Sequence, residues 1–195
     1  MSSAVNILAI SGSLRAGSLN TMLLRAAKRL APDGISVDLY RGLGALPLFN
    51  PDLEAVSLPR EVSELRSRII SSHALLIASP EYAHGISGVL KNALDWMVGN
   101  ESFVAKPVGV LNASPRASLA EAALRETLTT MSARVIPEAC VTVGILGSGL
   151  DEDQVVGHTG ISASIVGVLR ALQRASLSKI RPRASDPDRE RSPHG

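Results

Sequence analysis

Apolar positions fall into short runs separated by stretches with helical spacing. Val5–Ile10 (VNILAI) is nearly all apolar and ends at Ser11 and Gly12, which predicts a buried strand. Leu19, Leu23, Ala26, Ala27 and Leu30 then recur on one helical face until Pro32, Asp33 and Gly34 break the pattern. Ile35–Leu39 alternates apolar and polar residues, as a second strand does. The connection from Gly42 to Pro59 is too rich in Gly and Pro to predict a regular element. Val62, Leu65 and Ile69 mark a helix opened near Pro59.

Ala74–Ala78 (ALLIA) is the third strand, apolar throughout as in a sheet covered on both faces. Ile86, Val89, Leu90, Ala93, Leu94 and Met97 form the clearest helical stripe in the chain. Pro107–Leu111 is the fourth strand, a helix runs from about Ser118 to Arg134, and Val135–Val143 is the fifth strand. Gly144–Gly160 reads as a loop, and Ile161, Ile165, Val168, Leu169 and Leu172 make a last helix. Five strands alternating with five helices predict a parallel α/β sheet with right-handed crossovers and helices on both faces. Ligands of such sheets sit beyond the carboxyl ends of the strands, so the loops after strands one, three and four are the places to look for chemistry.

Composition narrows the class. Of 20 Lys+Arg and 18 Asp+Glu, five and three lie after residue 175, which leaves the first 175 residues with 15 of each. The expected organisation is one domain over residues 1–175 and a Pro- and Arg-rich tail over 176–195 that has too little apolar surface to order itself. A neutral body argues against a nucleic-acid partner. No stretch approaches the ~20 apolar residues of a membrane span, and no targeting segment stands out. One cysteine rules out a disulfide scaffold, and the expected location is the cytoplasm.

The first loop, Ser11 to Thr21, holds Ser11, Ser13, Arg15, Ser18, Asn20 and Thr21 just before a helix. Hydroxyls, backbone N–H groups and a helix N-terminus suit a phosphate, although an ordinary turn with Ser18 or Asn20 as cap would look the same. The second loop is Ser79-Pro80-Glu81-Tyr82-Ala83-His84-Gly85. There Tyr82 can flank a planar ligand. Glu81 is either a base or a carboxylate favoured by a helix dipole, and His84 is a proton donor or a solvated polar residue. The third loop, Asn112 to Ser118, offers Ser114 and Arg116, or simply a Pro turn with Ser118 as helix cap. Cys140 falls within a strand and reads as a small buried group rather than a nucleophile. Gly85-Ile86-Ser87-Gly88 misses the nucleophile-elbow spacing, and the four histidines lack metal-ligand spacing.

Taken together, Gly12-Ser13-Leu14-Arg15 with Ser18 and Asn20, Ser79-Pro80-Glu81-Tyr82, and Leu90-Lys91-Asn92-Ala93-Leu94-Asp95-Trp96 resemble the NADPH-dependent FMN reductase family over about Val5 to Arg174. The resemblance implies a flavodoxin-like three-layer α/β/α sandwich with strand order 2-1-3-4-5 and FMN between strands one and three. It implies that Ser11, Ser13, Arg15, Ser18, Asn20 and Thr21 hold the FMN phosphate. Pro80, Glu81, Tyr82, His84 and Gly85 would line the ribityl chain and ring, joined by Ser114 and Arg116. Lys91, Asn92 and Asp95 would be structural or interfacial. The family usually has Asn at the position of His84, and its third loop is usually longer and richer in glycine. The implied activity is a ping-pong transfer from NADPH or NADH through FMN to a flavin, quinone or similar acceptor, in a homodimer or homotetramer. No catalytic acid, base or metal is assigned. Arg15 and Arg116 are the natural cations for a nicotinamide phosphate, which would favour NADPH. The alternatives are a flavodoxin-type electron carrier and a non-catalytic flavin-binding or interaction protein.

Overall fold

The computed structural model describes residues 4–178, so the expected tail lies outside the described residues except for its first three positions. Among the described residues there are seven strands: β1 (Val5–Ser11), β2 (Ile35–Tyr40), β3 (Ala74–Ala78), β4 (Glu81–Tyr82), β5 (Gly85–Ile86), β6 (Pro107–Asn112) and β7 (Arg134–Thr142). The helices are α1 (Leu19–Arg29), α2 (Pro51–Val56), α3 (Arg60–Ser71), α4 (Gly88–Asp95), α5 (Ser118–Thr130), α6 (Glu152–Gly157) and α7 (Thr159–Ser178). Five strands form one parallel sheet in the order β2-β1-β3-β6-β7, and β4 and β5 pair as a separate antiparallel hairpin. This is the expected 2-1-3-4-5 order of main strands.

Period-two alternation sorts the strand side chains into two cores. Ile7, Ala9, Leu76 and Ala78 face α1 and α7, while Leu8, Ile10, Leu75 and Ile77 face α3 and α4. Both faces are covered, which is why β3 and β6 carry no polar residue before Asn112. Between β6 and β7 the register slips: Val108 pairs with Val135 but Val110 pairs with Cys140. Gly109 sits at this irregularity, and a Cβ there would lie 2.8 Å from the Ala139 carbonyl oxygen and 2.9 Å from its methyl group.

Four local expectations are corrected. The Gly- and Pro-rich connection after β2 contains a 3₁₀ turn at Leu43–Ala45 and the short helix α2, capped by the Asn50 side chain on the Asp52 N–H. The loop read between Gly144 and Gly160 contains α6, opened by a capping box between Asp151 and Gln154. α5 stops at Thr130, because β7 begins at Arg134 after a turn with Ser132 at φ 61°. α7 runs to Ser178, and Ser176 is buried against the His73 and Leu172 carbonyls.

The segment before α2 is tied down by α4. Trp96 is fully buried and donates from Nε1 to the Pro47 carbonyl at 2.8 Å. Asn92 donates to the same oxygen at 2.9 Å, accepts from the Phe49 N–H at 2.8 Å, and the Phe49 ring meets Trp96 edge-on. Lys91 pairs with Asp95 one turn along at 2.5 Å. These are structural duties, one of the two roles expected of this motif.

Gly109→Ala should lower stability by about 1–3 kcal/mol, because a central backbone must move to admit one methyl group. Denaturant unfolding measures this, and an unchanged midpoint would show that β7 can give way freely.

Candidate functional site

β1 and β3 lie side by side, but the chain leaves β1 towards β2 and leaves β3 towards β6. The loops diverge there and open a crevice at the carboxyl edge. Its floor depends on close backbone approach. Gly12 donates to the Ala78 carbonyl at 2.8 Å and accepts from Ser87 Oγ at 2.6 Å. A Cβ on Gly12 would lie 2.5 Å from Ser79 Oγ and 2.9 Å from Ser87 Oγ, so only glycine fits.

A cleft of about 420 Å³ occupies the crevice. The first loop contributes Ser13, Arg15, Ser18 and Asn20 to its wall. Ser18 is the N-cap of α1 and accepts from the Thr21 N–H at 3.2 Å. The first turn of α1 carries no acidic side chain, so the positive end of its dipole is not neutralised there. Asn20 is 8% exposed, and its Oδ1 is buried with no hydrogen-bond partner. Such an orphan beside a cleft fits a ligand polar group, since a buried amide left unsatisfied is costly. Ser11 and Thr21 do not line the cleft. Their hydroxyls bond to each other at 2.7 Å and brace the loop from behind.

The second loop folds as the β4–β5 hairpin. Ala83 and His84 both have positive φ, 48° and 63°, the signature of a tight turn that matches strand twist. Pro80, Glu81 and Tyr82 face the cleft, with Tyr82 59% exposed at its lip. Neither His84 nor Gly85 lines the cleft: the turn points the His84 ring outward, 79% exposed.

Glu81 reaches across to the third loop. α5 begins at Ser118 with Ala117 as N-cap, which has no side-chain acceptor to offer. Glu81 Oε2 supplies it instead, accepting from the Ala120 N–H at 2.9 Å, while Oε1 lies 3.1 Å from His84 Nδ1. These helix-terminal N–H groups, and His84 beside them, hold the Glu81 carboxyl below its ordinary value. Glu81 is therefore a clamp between two walls of the cleft, and the alternative of Ser118 as the helix cap is not realised.

Ser114 and Arg116 both line the cleft. The loop keeps its shape without glycine because Asn112 accepts from the Ser114 N–H at 3.0 Å and donates to the Ala117 carbonyl and Glu121. Ser114 Oγ in turn accepts from the Arg116 N–H at 3.1 Å. Asn112 and Leu146 also line the cleft and were not anticipated. Leu146 arrives from beyond β7, where its N–H bonds the Ala113 carbonyl, and an apolar residue among loop glycines carries no distinctive sequence signal. Cys140 is half-buried in β7, and burial pushes its thiol up, as expected of a packing residue.

The cleft thus offers two arginines and a capped helix N-terminus as donors, beside an Asn20 side chain whose oxygen is unpartnered, and its one carboxylate is already engaged. A phosphate-bearing planar ligand fits that donor set.

Comparisons with known proteins agree with this chemistry. A family model described as NADPH-dependent FMN reductase matches residues 5–146. An NAD(P)H-dependent FMN reductase of Pseudomonas aeruginosa is 38% identical over 149 residues, covering 73% of this chain and 80% of that protein. A quinone reductase of Pseudomonas putida is 36% identical over 120 residues, covering 60% of this chain and 64% of that protein. Among solved structures, FerB, a flavoenzyme NAD(P)H:(acceptor) oxidoreductase from Paracoccus denitrificans, aligns with a TM-score of 0.77 and 30% identity over 90% of this chain and 98% of that chain.

Glu81→Ala should lower the melting temperature at neutral pH. A carboxyl whose folded value is depressed stabilises above its ordinary value of 4.5 and loses that contribution as pH falls through the folded value. The gap between wild type and Glu81→Ala should therefore narrow below pH 4.5. A gap that stays constant in a pH series of thermal melts would show that the clamp does not act through its charge.

Proposed function

The chain belongs to the NADPH-dependent FMN reductase family, and on that premise we propose how its own residues serve an NAD(P)H-dependent flavin oxidoreductase. The observation that carries the proposal is the phosphate-like environment of the first loop. The Ser18-capped end of α1, the unpartnered Asn20 amide and Arg15 all face one cleft at the switch point. When bound, FMN supplies the chemistry, accepting reducing equivalents from NAD(P)H and delivering them to a quinone or flavin acceptor.

The protein's part is position and electrostatics. Ser13, Ser18, Asn20 and the first N–H groups of α1 hold the phosphate end, and Arg15 compensates its charge. The Asn20 amide can present either its oxygen or its NH₂ group to the cleft by a half-turn of the side chain. Pro80 and Tyr82 from the hairpin and Ser114 from the third loop flank the planar end. Glu81 and Asn112 act as positioning residues, fixing those walls against each other. His84 contributes its backbone conformation to the turn, and Ser11 and Thr21 brace the first loop. A homodimer or homotetramer and a cytoplasmic location belong to the same proposal. Exposed Leu48 and Val56 support the first, and the single cysteine supports the second.

The purified protein should bind FMN, show a flavin visible spectrum, and oxidise NADH or NADPH with a quinone or free FMN as acceptor. Reduction only through a partner reductase would favour an electron carrier instead. Arg15→Ala should weaken FMN binding by about 1.5–3 kcal/mol, on the order of ten- to a hundredfold. Unchanged affinity in a fluorescence titration would remove Arg15 from the phosphate site.

A further inference from the structure

Val143 to Leu150 follows β7 as a braced turn. Its backbone is tied to the third loop: Val143 donates to the Asn112 carbonyl at 2.7 Å and Leu146 to the Ala113 carbonyl at 3.1 Å. A Cβ on Gly144 would lie 3.9 Å from Pro115 Cδ in that same loop. Within the turn, the Ile145 carbonyl accepts from the Ser148 N–H at 3.1 Å and from its hydroxyl at 2.8 Å. Ser148 Oγ in turn accepts from the Leu150 N–H at 3.2 Å. Gly147 and Gly149 supply the positive φ angles on either side of Ser148, 82° and 72°. Ile145 is buried and pins the turn to the core, while the next residue, Leu146, is 54% exposed and lines the cleft.

A single exposed leucine is ordinary on a protein surface. This one is held in place by the turn and belongs to a binding cleft. Ala113 and Ala117 line the cleft beside it, and the Asn112 side chain is committed to the Ser114 N–H, the Ala117 carbonyl and Glu121. On the hairpin wall Tyr82 is exposed to a similar degree. The donors that suit a phosphate, Ser13, Arg15 and the start of α1, belong to the loop after β1, at the other end of the strand order. The cleft therefore has a donor-rich end at β1. At its β3–β6 end two half-exposed apolar side chains stand near one cation, Arg116.

A planar ring bearing carbonyl oxygens suits that end. Its faces gain from apolar cover, and its oxygens take on negative charge during reduction, which a nearby guanidinium stabilises. We propose that Leu146 is a specificity-determining residue of the acceptor step: with Tyr82 it covers a quinone ring in the mouth of the cleft, and Arg116 attends the quinone oxygens. The net exchange is unchanged: NAD(P)H, a proton and quinone give NAD(P)⁺ and hydroquinone. This deepens the reductase proposal and rests on it for the reaction. It also gives a task to a residue that enters the cleft from outside the three loops expected to carry chemistry.

The test uses the FMN-loaded full chain with two acceptors: menadione, an uncharged planar quinone, and ferricyanide, a compact anion that needs no apolar cover. Leu146→Ser should raise KM for menadione by about three- to tenfold, as expected for losing one half-covered leucine, with kcat and KM for NAD(P)H unchanged. The ratio of kcat/KM for menadione to that for ferricyanide should fall by the same factor, and Leu146→Met should restore most of it. A readout free of turnover is the Leu146 methyl NMR signal of the oxidised protein, which should shift on adding menadione. Equal losses with both acceptors would overturn the assignment, as would a methyl signal that does not move. Weaker FMN binding in Leu146→Ser would place the leucine against the flavin, a raised KM for NAD(P)H would place it against the donor, and a changed sedimentation coefficient would place it in a subunit contact; each overturns the proposal. A protein that neither binds FMN nor oxidises NAD(P)H defeats the reductase proposal itself. An unchanged KM for menadione, in a protein that does both, defeats only the role of Leu146.

Discussion

The site exists because two loops cross at van der Waals distance where β1 and β3 end together. Gly12 has the Ala78 carbonyl below it, Ser79 beside it and the Ser87 hydroxyl on its own carbonyl. Any side chain at Gly12 would push the first loop away from the second and widen the crevice. With the contact in place, both loops are set relative to the sheet. Everything above inherits its position from this: the Ser18-capped start of α1, the hairpin, and through Glu81 the start of α5. Cleft geometry is thus fixed by backbone packing at the bottom and by one carboxylate bridge at the top.

The bridge gives the third loop its stiffness. A glycine-poor loop would ordinarily be free to adopt only common backbone conformations, and it needs outside acceptors for the donors of the helix that follows. Glu81 fills that need from the hairpin, while Asn112 satisfies the loop's own N–H and carbonyl groups. His84 makes the same point about conformation. The family usually has Asn at this position, a residue that tolerates the left-handed region. His84 adopts it at φ 63°, so the hairpin keeps its shape while the ring stays in solvent. What that position supplies here is a backbone angle, and a different side chain meets the requirement.

The sheet was legible from sequence because burial on both faces leaves long apolar runs such as ALLIA, and period-3.6 stripes mark the long helices between them. α2 and α6 were not, because six residues are too few to show a stripe; their signals are Asn50 and Asp151 as caps, within stretches dominated by Gly and Pro. The hairpin was hidden for a related reason: two-residue strands have no period. Nine of the thirteen residues expected to bind cofactor do line the cleft, since the strand-end rule finds loops reliably. The four that do not, Ser11, Thr21, His84 and Gly85, belong to the right loops but face another way, and side-chain direction within a loop depends on local φ and on hydrogen bonds such as that between Ser11 and Thr21. Leu146 is the converse case, brought in by tertiary contact alone.

Charge shows the same separation between sum and place. The first 175 residues are neutral overall, yet the carboxyl edge of the sheet on either side of the first loop carries Arg15, Arg25, Arg41 and Arg116. Several of the acids are engaged elsewhere in defined pairs: Glu152 and Asp153 on α1, Asp38 on α3, Glu54 on Arg66, Glu81 on α5. Each of these pairings ties one helix, strand or loop to another, so these acids hold the architecture together. Arg15, Arg41 and Arg116, with no such partner among the described residues, are left at the one edge where a phosphate can approach backbone N–H groups. A neutral domain can therefore present local positive charge where acids are tied into pairs elsewhere and arginines without ion-pair partners gather on either side of one loop.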